Sequence, residues 1–233
     1  MKSDISSPRP PLPGENWRCQ FQLADLEETA AFARRLAAQL RAGDLLVLTG
    51  GLGAGKTTFT QALGEALGIQ GQISSPTFVL SRIHQNSDDA APDLVHVDAY
   101  RTDASGLESL DLLATLPHSV TVVEWGRGLV EQASVGPGGS WLDLELSASP
   151  GGGGGPLTSG TCADAEQPGG SDQGTPLASR PTAVAPAFAP ESPVGVDSIE
   201  TDFSESEQDA LGTARTAVLR GYGDRWSQPL GVL

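Results

Sequence analysis

The chain has 233 residues, of which 38% are hydrophobic, with 29 glycines, 17 prolines and a formal net charge of −15. This length allows one α/β domain plus flexible segments, and the acidic balance, without a cluster of Lys and Arg, argues against direct tight binding of nucleic acid. Because no apolar run reaches the length of a membrane span and the N-terminus lacks an apolar signal core, we expect a cytoplasmic protein without a membrane partner.

The N-terminal part of the chain predicts a tail, a helix and a buried strand. Residues 1–16 are rich in Pro and Ser, which predicts a disordered tail. An amphipathic helix is predicted from Leu26 to Arg41, where Asp25 can cap the N-terminus and Glu28 can complete a capping box. The apolar stretch 44–49 has no polar alternation, as a strand buried on both faces requires.

Further elements follow in the same alternation of strands and helices. The apolar patterns predict a helix over 56–67, strands over 77–83, 94–98 and 119–125, and a helix over 107–116. Strands that alternate with helices predict an α/β fold, in which a mainly parallel sheet is covered by helices on both faces. Ligands of such sheets bind at the carboxyl ends of the strands.

The C-terminal part contains two segments, 141–147 and 213–226, with the alternation of a half-buried strand. We expect them to pair as antiparallel strands. Residues 148–210 between them hold ten acidic residues and one basic residue, and we expect a disordered insertion, because the cost of closing a loop grows only logarithmically with its length. Cys19 and Cys162 imply no disulfide framework, so we expect two unrelated thiols. The predicted organisation is a tail over 1–16, a domain over 17–147, the insertion over 148–210, a returning strand within 211–226 and a tail over 227–233.

The stretch from Gly50 to Thr57 matches the pattern GxxxxGK[ST] of phosphate-binding loops and lies between a predicted strand and a predicted helix. Its four glycines let the backbone curl so that successive N–H groups point inward, and the helix N-terminus adds its positive end. Lys56 is the only lysine besides Lys2, and we expect it to reach the β- and γ-phosphates as a compact charge on a slim stem. Thr57 is expected to give its hydroxyl to Mg²⁺. The stretch predicts the binding of a nucleoside triphosphate.

Other residues narrow the predicted site. Asp98 and Glu124 close apolar strands, where one is expected to order the metal shell and the other to orient water; the sequence leaves the assignment open. Thr77 is either a sensor of the γ-phosphate or part of an ordinary turn. Trp125 either stacks on a base or packs in the core. The histidines, His96 among them, show no ligand spacing, so core or surface roles are expected for them.

The phosphate loop, the Ser-Pro-Thr of 75–77, the HVDAYR of 96–101 and the Glu124–Trp125 pair occur in a characteristic order and spacing. Together they resemble the bacterial tRNA threonylcarbamoyladenosine biosynthesis ATPase family, TsaE (formerly YjeE), over about residues 20–147 and 213–226. Members of that family are small P-loop ATPases that work with the partner proteins TsaB and TsaD. They act in forming the N6-threonylcarbamoyl group on adenosine 37 of tRNAs that read ANN codons.

This resemblance implies a P-loop NTPase-like fold with ATP and Mg²⁺ as ligands. It implies that Thr57 and Glu124 lie at the metal and Asp98 near the phosphates, with Lys56, Asp98 and Glu124 as the catalytic group. It implies slow hydrolysis without partners, and contact with tRNA only through the partner complex. The residues expected at the nucleotide are Gly51, Leu52, Gly53, Ala54, Gly55, Lys56, Thr57, Thr58, Thr77, Asp98 and Trp125.

The sequence departs from the family pattern in three places. Many members carry an acidic residue where this chain has Gly51, and both the N-terminal tail and the insertion 148–210 are additional. The main alternative function is that of a small-molecule P-loop kinase, which is expected to have a lid with paired arginines; here Arg82, Arg101 and Arg127 are scattered. A nonhydrolysing scaffold is a weaker alternative, because it leaves the phosphate loop and both acids without a task.

Overall fold

The computed structural model describes residues 9–76, 79–102, 106–107, 110, 112–130, 139–148, 161–164 and 214–231. The strands within them are β1 (Glu15–Leu23), β2 (Leu45–Gly50), β3 (Ser81–His84), β4 (Asp93–Asp98), β5 (Ser119–Glu124), β6 (Trp141–Ala148), β7 (Thr161–Asp164) and β8 (Arg215–Tyr222). The helices are α1 (Leu26–Ala37), α2 (Lys56–Leu67) and α3 (Leu112–Thr115), with 3-10 turns at Leu116–His118 and Asp224–Trp226. None of the described helices is long and apolar enough to cross a membrane.

All eight of these strands form one mixed sheet in the order β3-β4-β5-β2-β6-β8-β1-β7. The central strands β4, β5, β2 and β6 run parallel, whereas β3 and the group β8-β1-β7 pair antiparallel with their neighbours. The predicted α/β fold is confirmed, with parallel strands at the centre of a mixed sheet, as is the antiparallel pairing of β6 with β8. The carboxyl ends of the parallel strands meet at one edge, and β8 begins at that edge.

The core explains why β2 carries no polar alternation. Leu46 and Leu48 face the side covered by α1 and α2, in one cluster with Phe32 and Leu63. Leu45 and its alternate neighbour Val47 face the other side, in a second cluster with apolar residues of β4, β5 and the α3 region. Burial of each such side chain contributes about 1.5–3 kcal/mol. A strand that is buried on both faces has to be apolar at nearly every position.

Several elements are shorter than the sequence predicts. The cap of α1 is confirmed, since the Glu28 N–H donates to Asp25 Oδ1 at 2.9 Å, but the helix ends at Ala37 rather than Arg41. Of the strand predicted over 77–83, residues 77 and 78 lie outside the described residues, and β3 begins at Ser81, because the N–H groups of residues 79 and 80 donate to the Pro76 carbonyl. Of the helix predicted over 107–116, the described residues are helical at 107 and in α3 and then continue as a 3-10 turn, while residues 108, 109 and 111 lie outside the described residues.

The strand β1 was not predicted, and it begins inside the segment expected to be a disordered tail. Trp17, Cys19, Phe21 and Leu23 are buried and alternate with exposed polar residues, which is the pattern of a half-buried strand. The residues before β1 also pack on the sheet, because the Arg9 N–H donates to the Glu145 carboxylate at 3.0 and 3.1 Å. The tail prediction is therefore wrong for residues 9–16.

The strand β7 lies within the segment expected to be a disordered insertion. It pairs antiparallel with β1 so that Cys162 stands opposite Cys19, and the two form a disulfide. The expectation of two unrelated thiols is therefore wrong. The disulfide depends on the pairing of β1 with β7, which no local sequence pattern predicts. The other residues of 149–210 lie outside the described residues, so the disorder expected for them stays a prediction.

Buried charges lie on the sheet face opposite α1 and α2. Arg220 places Nη2 2.9 Å from Glu145 Oε2, Nη1 3.3 Å from Asp143 Oδ2 and Nε 3.4 Å from Glu15 Oε2. Arg127 Nε lies 3.4 Å from the same Asp143 oxygen. Burial raises the pKa of Asp143 and of Glu15, although the two arginines oppose that change. The cluster holds its charges only because each carboxylate has an arginine beside it.

Candidate functional site

The loop between β2 and α2 lies at the carboxyl edge of the sheet, and its glycines have specific tasks. A Cβ on Gly50 would lie 2.4 Å from the carbonyl oxygen of Leu146, so the close approach of β6 to the loop excludes any larger residue. Gly53 and Gly55 have φ values of 72° and 94°, in the left-handed region that favours glycine. A Cβ on Gly51 would meet no other atom, so an acidic side chain at this position would fit the loop.

Lys56 lies across this loop. Its Nζ donates to the carbonyl oxygens of Gly50 at 3.2 Å and Gly51 at 2.9 Å, and the residue is only 5% exposed. Burial lowers the pKa of Lys56, while the carboxylates of Glu124 and Asp98 oppose that change. The ammonium group is therefore held against the loop by two backbone carbonyls.

Trp125 covers the ammonium group of Lys56. The Nζ lies 3.8 Å from the centroid of the indole ring, which is the geometry of a cation–π contact. The indole ring also lies 5.1 Å from the ring of Tyr100, whose side chain is 61% exposed. Trp125 has a φ of 63°, uncommon outside glycine, and its N–H donates to the Leu48 carbonyl at 3.0 Å. The structure thus turns the chain sharply after β5 and directs this ring toward the loop.

Glu124 connects the first turn of α2 to the sheet. The hydroxyl of Thr57 donates to Oε1 at 3.0 Å and to Oε2 at 3.3 Å. On its other side, Glu124 Oε1 lies 2.9 Å from Nε2 of His96, which is fully buried. Among the described residues, His96 Nδ1 has no hydrogen-bond partner. The carboxylate is therefore fixed between a hydroxyl and an imidazole.

Asp98 stands beside Glu124 because the two close neighbouring parallel strands in register. It is 5% exposed, and its Oδ1 accepts from the Tyr100 N–H at 2.9 Å. Leu94, two positions before His96 on β4, belongs to the core cluster under α1 and α2. Strand alternation therefore places His96 and Asp98 on the face of the sheet toward α2.

The structure brings five of the predicted residues together at this edge: Lys56, Thr57, Asp98, Glu124 and Trp125. Leu52 is 86% exposed at the tip of the loop. Its side chain therefore points into solvent, and only its backbone lines the inner side of the loop. Gly51, Gly53, Ala54, Gly55 and Thr58 belong to the same loop and the first turn of α2. Thr77 lies outside the described residues. The roles of all these residues toward a nucleotide stay predictions.

The sequence interpretation missed two polar residues of the site. His96 is the polar residue of an otherwise apolar stretch, two positions before Asp98, and this spacing could have placed it on the same strand face as that acid. Arg215, the first residue of β8, donates from Nε to the carbonyl of Ala54 in the loop at 3.1 Å. It has no local signal, since it reaches the loop from a distant part of the chain.

The residues at this edge fit a triphosphate with Mg²⁺. The described part of the chain has no group of three or more His, Cys, Asp and Glu side chains that could hold a metal alone. Mg²⁺ beside phosphates needs few protein ligands, and Thr57 and Glu124 offer adjacent oxygen atoms for it. The glycine loop, the amino end of α2 and Lys56 offer the positive environment that phosphates need.

An open cavity of about 440 Å³ lies at the opposite edge of the sheet. Its lining includes Asp44, Pro117 and Ser140, which lie just before β2, β5 and β6. Because ligands of parallel sheets bind at the carboxyl ends of the strands, this cavity is not part of the candidate site.

Comparison with known proteins gives consistent matches. The family model described as "Threonylcarbamoyl adenosine biosynthesis protein TsaE" matches residues 23–149. A Streptomyces coelicolor protein named "tRNA threonylcarbamoyladenosine biosynthesis protein TsaE" is 57% identical over 101 residues, covering 42% of this chain and 68% of that protein. A Bacillus subtilis protein of the same name is 45% identical over 116 residues, covering 48% and 70%. The solved structure titled "Crystal structure of Bacillus subtilus YdiB" is 31% identical, covers 58% of this chain and 80% of its own, and has a TM-score of 0.45.

Proposed function

Because this chain belongs to the TsaE family of threonylcarbamoyl adenosine biosynthesis proteins, we propose that it binds ATP with Mg²⁺ and hydrolyses the ATP during this tRNA modification. The modification is the N6-threonylcarbamoyl group on adenosine 37 of tRNAs that read ANN codons. The chain acts in the cytoplasm through a complex with TsaB and TsaD, and it reaches tRNA only through that complex.

One observation carries the proposal of ATP binding. The buried ammonium of Lys56 lies across a glycine loop whose first residue cannot carry a side chain, at the amino end of a helix. Burial lowers the pKa of Lys56, and the carboxylates of Glu124 and Asp98 offset this only in part. A triphosphate would add a further negative partner, and the backbone N–H groups of the loop would supply its hydrogen bonds.

The side chains around the loop divide the remaining work. Lys56 exchanges the carbonyls of Gly50 and Gly51 for phosphate oxygens. Thr57 and Glu124 would hold the metal ion, because their oxygens already lie 3.0 Å apart. Mg²⁺ in this position neutralises charge on the phosphates. Asp98 stands beside Glu124 at the strand end and orients the attacking water.

The same site favours hydrolysis over transfer of phosphate to a second substrate. Enzymes that transfer phosphate usually close a lid with arginines over the acceptor. In the described part of the chain, Arg127 and Arg220 are engaged in the buried charge cluster, and Arg215 binds a backbone carbonyl of the loop. Hydrolysis by this chain then changes the shape of the partner complex, and turnover is slow in its absence.

Calorimetry with the purified chain, Mg²⁺ and ATP tests the proposal. We expect saturable binding by the unmodified chain and by Lys2→Ala, which changes the only other lysine, and no binding by Lys56→Ala. In a reconstituted tRNA modification with TsaB and TsaD, Lys56→Ala should give no product. Undiminished modification with Lys56→Ala would contradict the proposal.

A product assay with labelled ATP separates the proposed ATPase from a small-molecule kinase. We expect inorganic phosphate as the labelled product, released faster when TsaB and TsaD are added. A labelled metabolite formed from a small-molecule extract would favour the kinase instead.

A further inference from the structure

Arg215 is a buried cation at the edge of the phosphate loop. It is the first residue of β8 and only 6% exposed. Ala217 and Leu219 on the same strand belong to the core cluster under α1 and α2. Since side chains alternate along a strand, Arg215 continues that face to the sheet edge where the loop lies.

The guanidinium group of Arg215 fixes one peptide unit of the loop. Its Nε donates to the carbonyl oxygen of Ala54 at 3.1 Å. Ala54 and Gly55 share one peptide unit, and the described residues contain no cis peptide bond. In a trans peptide unit the carbonyl of Ala54 and the N–H of Gly55 lie in one plane and point in opposite directions. When Arg215 holds the carbonyl on its own side, it directs the Gly55 N–H toward the opposite side of the loop.

The position of this cation is unusual on electrostatic grounds. It lies beside the amino end of α2 and near Gly55, where the helix dipole favours an anion over a cation. Burial lowers the pKa of Arg215, which reflects the cost of keeping this charge away from water.

We propose that Arg215 is a positioning residue of the phosphate loop, which orients the Ala54–Gly55 peptide and adds positive potential for the triphosphate. This inference rests on the proposed binding of ATP. It makes the nucleotide site a product of two distant chain segments, because β8 comes after residues 149–210 while the loop follows β2.

Three substitutions test the role of Arg215 by calorimetry with ATP, ADP and adenosine. We expect Arg215→Met, which removes donor and charge, to weaken ATP binding about tenfold. Arg215→Lys keeps a cationic donor and should retain most of the affinity, whereas Arg215→Gln should fall between the other two. Because the peptide faces the phosphates, the binding of adenosine should change by less than about twofold.

Arg225 provides the matched control. It also binds a backbone carbonyl, that of Gln39, and pairs with Asp44, but it lies at the opposite edge of the sheet. Arg225→Met should leave ATP binding unchanged. In steady state, Arg215→Met should raise KM for ATP with little change in kcat, a split that a general loss of folded protein would not produce.

The outcomes separate this inference from the proposed function. If the unmodified chain binds no ATP, the proposed function fails and the inference fails with it. If the unmodified chain binds ATP and Arg215→Met binds it equally well, only the inference fails. Should Arg215→Met not fold, the comparison of Arg215→Lys with Arg215→Gln decides, and equal affinities of these two would overturn the proposed role.

Discussion

The Thr57 hydroxyl donates to both carboxylate oxygens of Glu124, at 3.0 and 3.3 Å, and thereby joins the first turn of α2 to the end of β5. Glu124→Gln keeps an oxygen that can accept this bond but removes the charge. We expect ATP hydrolysis to fall about 100-fold or more, because the metal ion loses its charged ligand. Binding of ATP without Mg²⁺ should change little. Hydrolysis rates over a Mg²⁺ titration measure the effect.

Glu65 supplies the control for this experiment. It lies on the exposed side of α2, and Glu65→Gln also removes one carboxylate charge. We expect hydrolysis by Glu65→Gln to match the unmodified chain. Equal rates for Glu124→Gln and Glu65→Gln would refute a role for Glu124 at the metal.

His96 fixes the Glu124 carboxylate through its Nε2 at 2.9 Å. We expect His96→Leu to lower hydrolysis about tenfold, since Glu124 then loses one of its two side-chain partners, while ATP affinity without Mg²⁺ stays the same. His96→Gln, which can still donate a hydrogen bond, should recover part of the loss. His118→Leu, at an exposed position, serves as the control. A tenfold loss with His96→Gln and none with His96→Leu would contradict this reasoning.

ATP affinity should fall at alkaline pH earlier than an ordinary lysine allows. Burial lowers the pKa of Lys56 in the free chain, and Glu124 and Asp98 offset this only in part. Bound phosphates favour the charged ammonium, so affinity is full below this lowered pKa and falls as the pH rises through it, by up to about tenfold per unit. Calorimetry between neutral and alkaline pH measures the decline.

Lys56→Arg isolates this titration, because arginine stays charged throughout that range. Its ATP affinity should be weaker at neutral pH and should not decline with pH as that of the unmodified chain does. Parallel declines in both proteins would assign the pH dependence to another group.

The buried charge cluster predicts a large effect on stability. Arg220→Met leaves Asp143, Glu145 and Glu15 without their shared arginine, which should lower the free energy of unfolding by about 3–5 kcal/mol. Arg18→Met, which removes an exposed arginine 3.7 Å from Glu15, should cost less than about 1 kcal/mol. Urea unfolding measures both.

The loss in Arg220→Met should also depend on pH with a definite sign. Burial raises the pKa of Asp143 in the folded chain, and removal of the arginine raises it further. The folded state then binds the proton more tightly than the unfolded state, so stability falls as the pH rises above the ordinary range of an aspartate. Arg220→Met should therefore be closest to the unmodified chain at acidic pH. If the difference in the free energy of unfolding between Arg220→Met and the unmodified chain grows as the pH falls, this account is contradicted.

Local patterns were enough to predict the centre of the fold and most of the site. β2 and α2 follow from an apolar run and a glycine-rich turn, and α2 spans Lys56–Leu67 as predicted. Asp98 and Glu124 could be placed together because the carboxyl ends of parallel strands share one edge. These inferences need only neighbours in sequence and one topological rule.

The residues that were missed depend on contacts between distant segments. β1 has a recognisable alternation, but the Pro-rich residues before it favoured the interpretation as a tail. The Cys19–Cys162 pair requires knowledge that β7 lies beside β1. Arg215 meets the loop only because β8 inserts between β6 and β1, an arrangement that no local pattern contains.

The position of β8 between β6 and β1 also determines when the protein can fold on the ribosome. Leu23 pairs with Arg215, so β1 can join the central strands only after β8 has been translated. Until β8 is made, no strand links β1 to β6, so Trp17 and Phe21 lack part of the core that buries them in the folded chain. Strands β2 to β6 can assemble during synthesis, whereas closure of the sheet through β8 is the late, slow step.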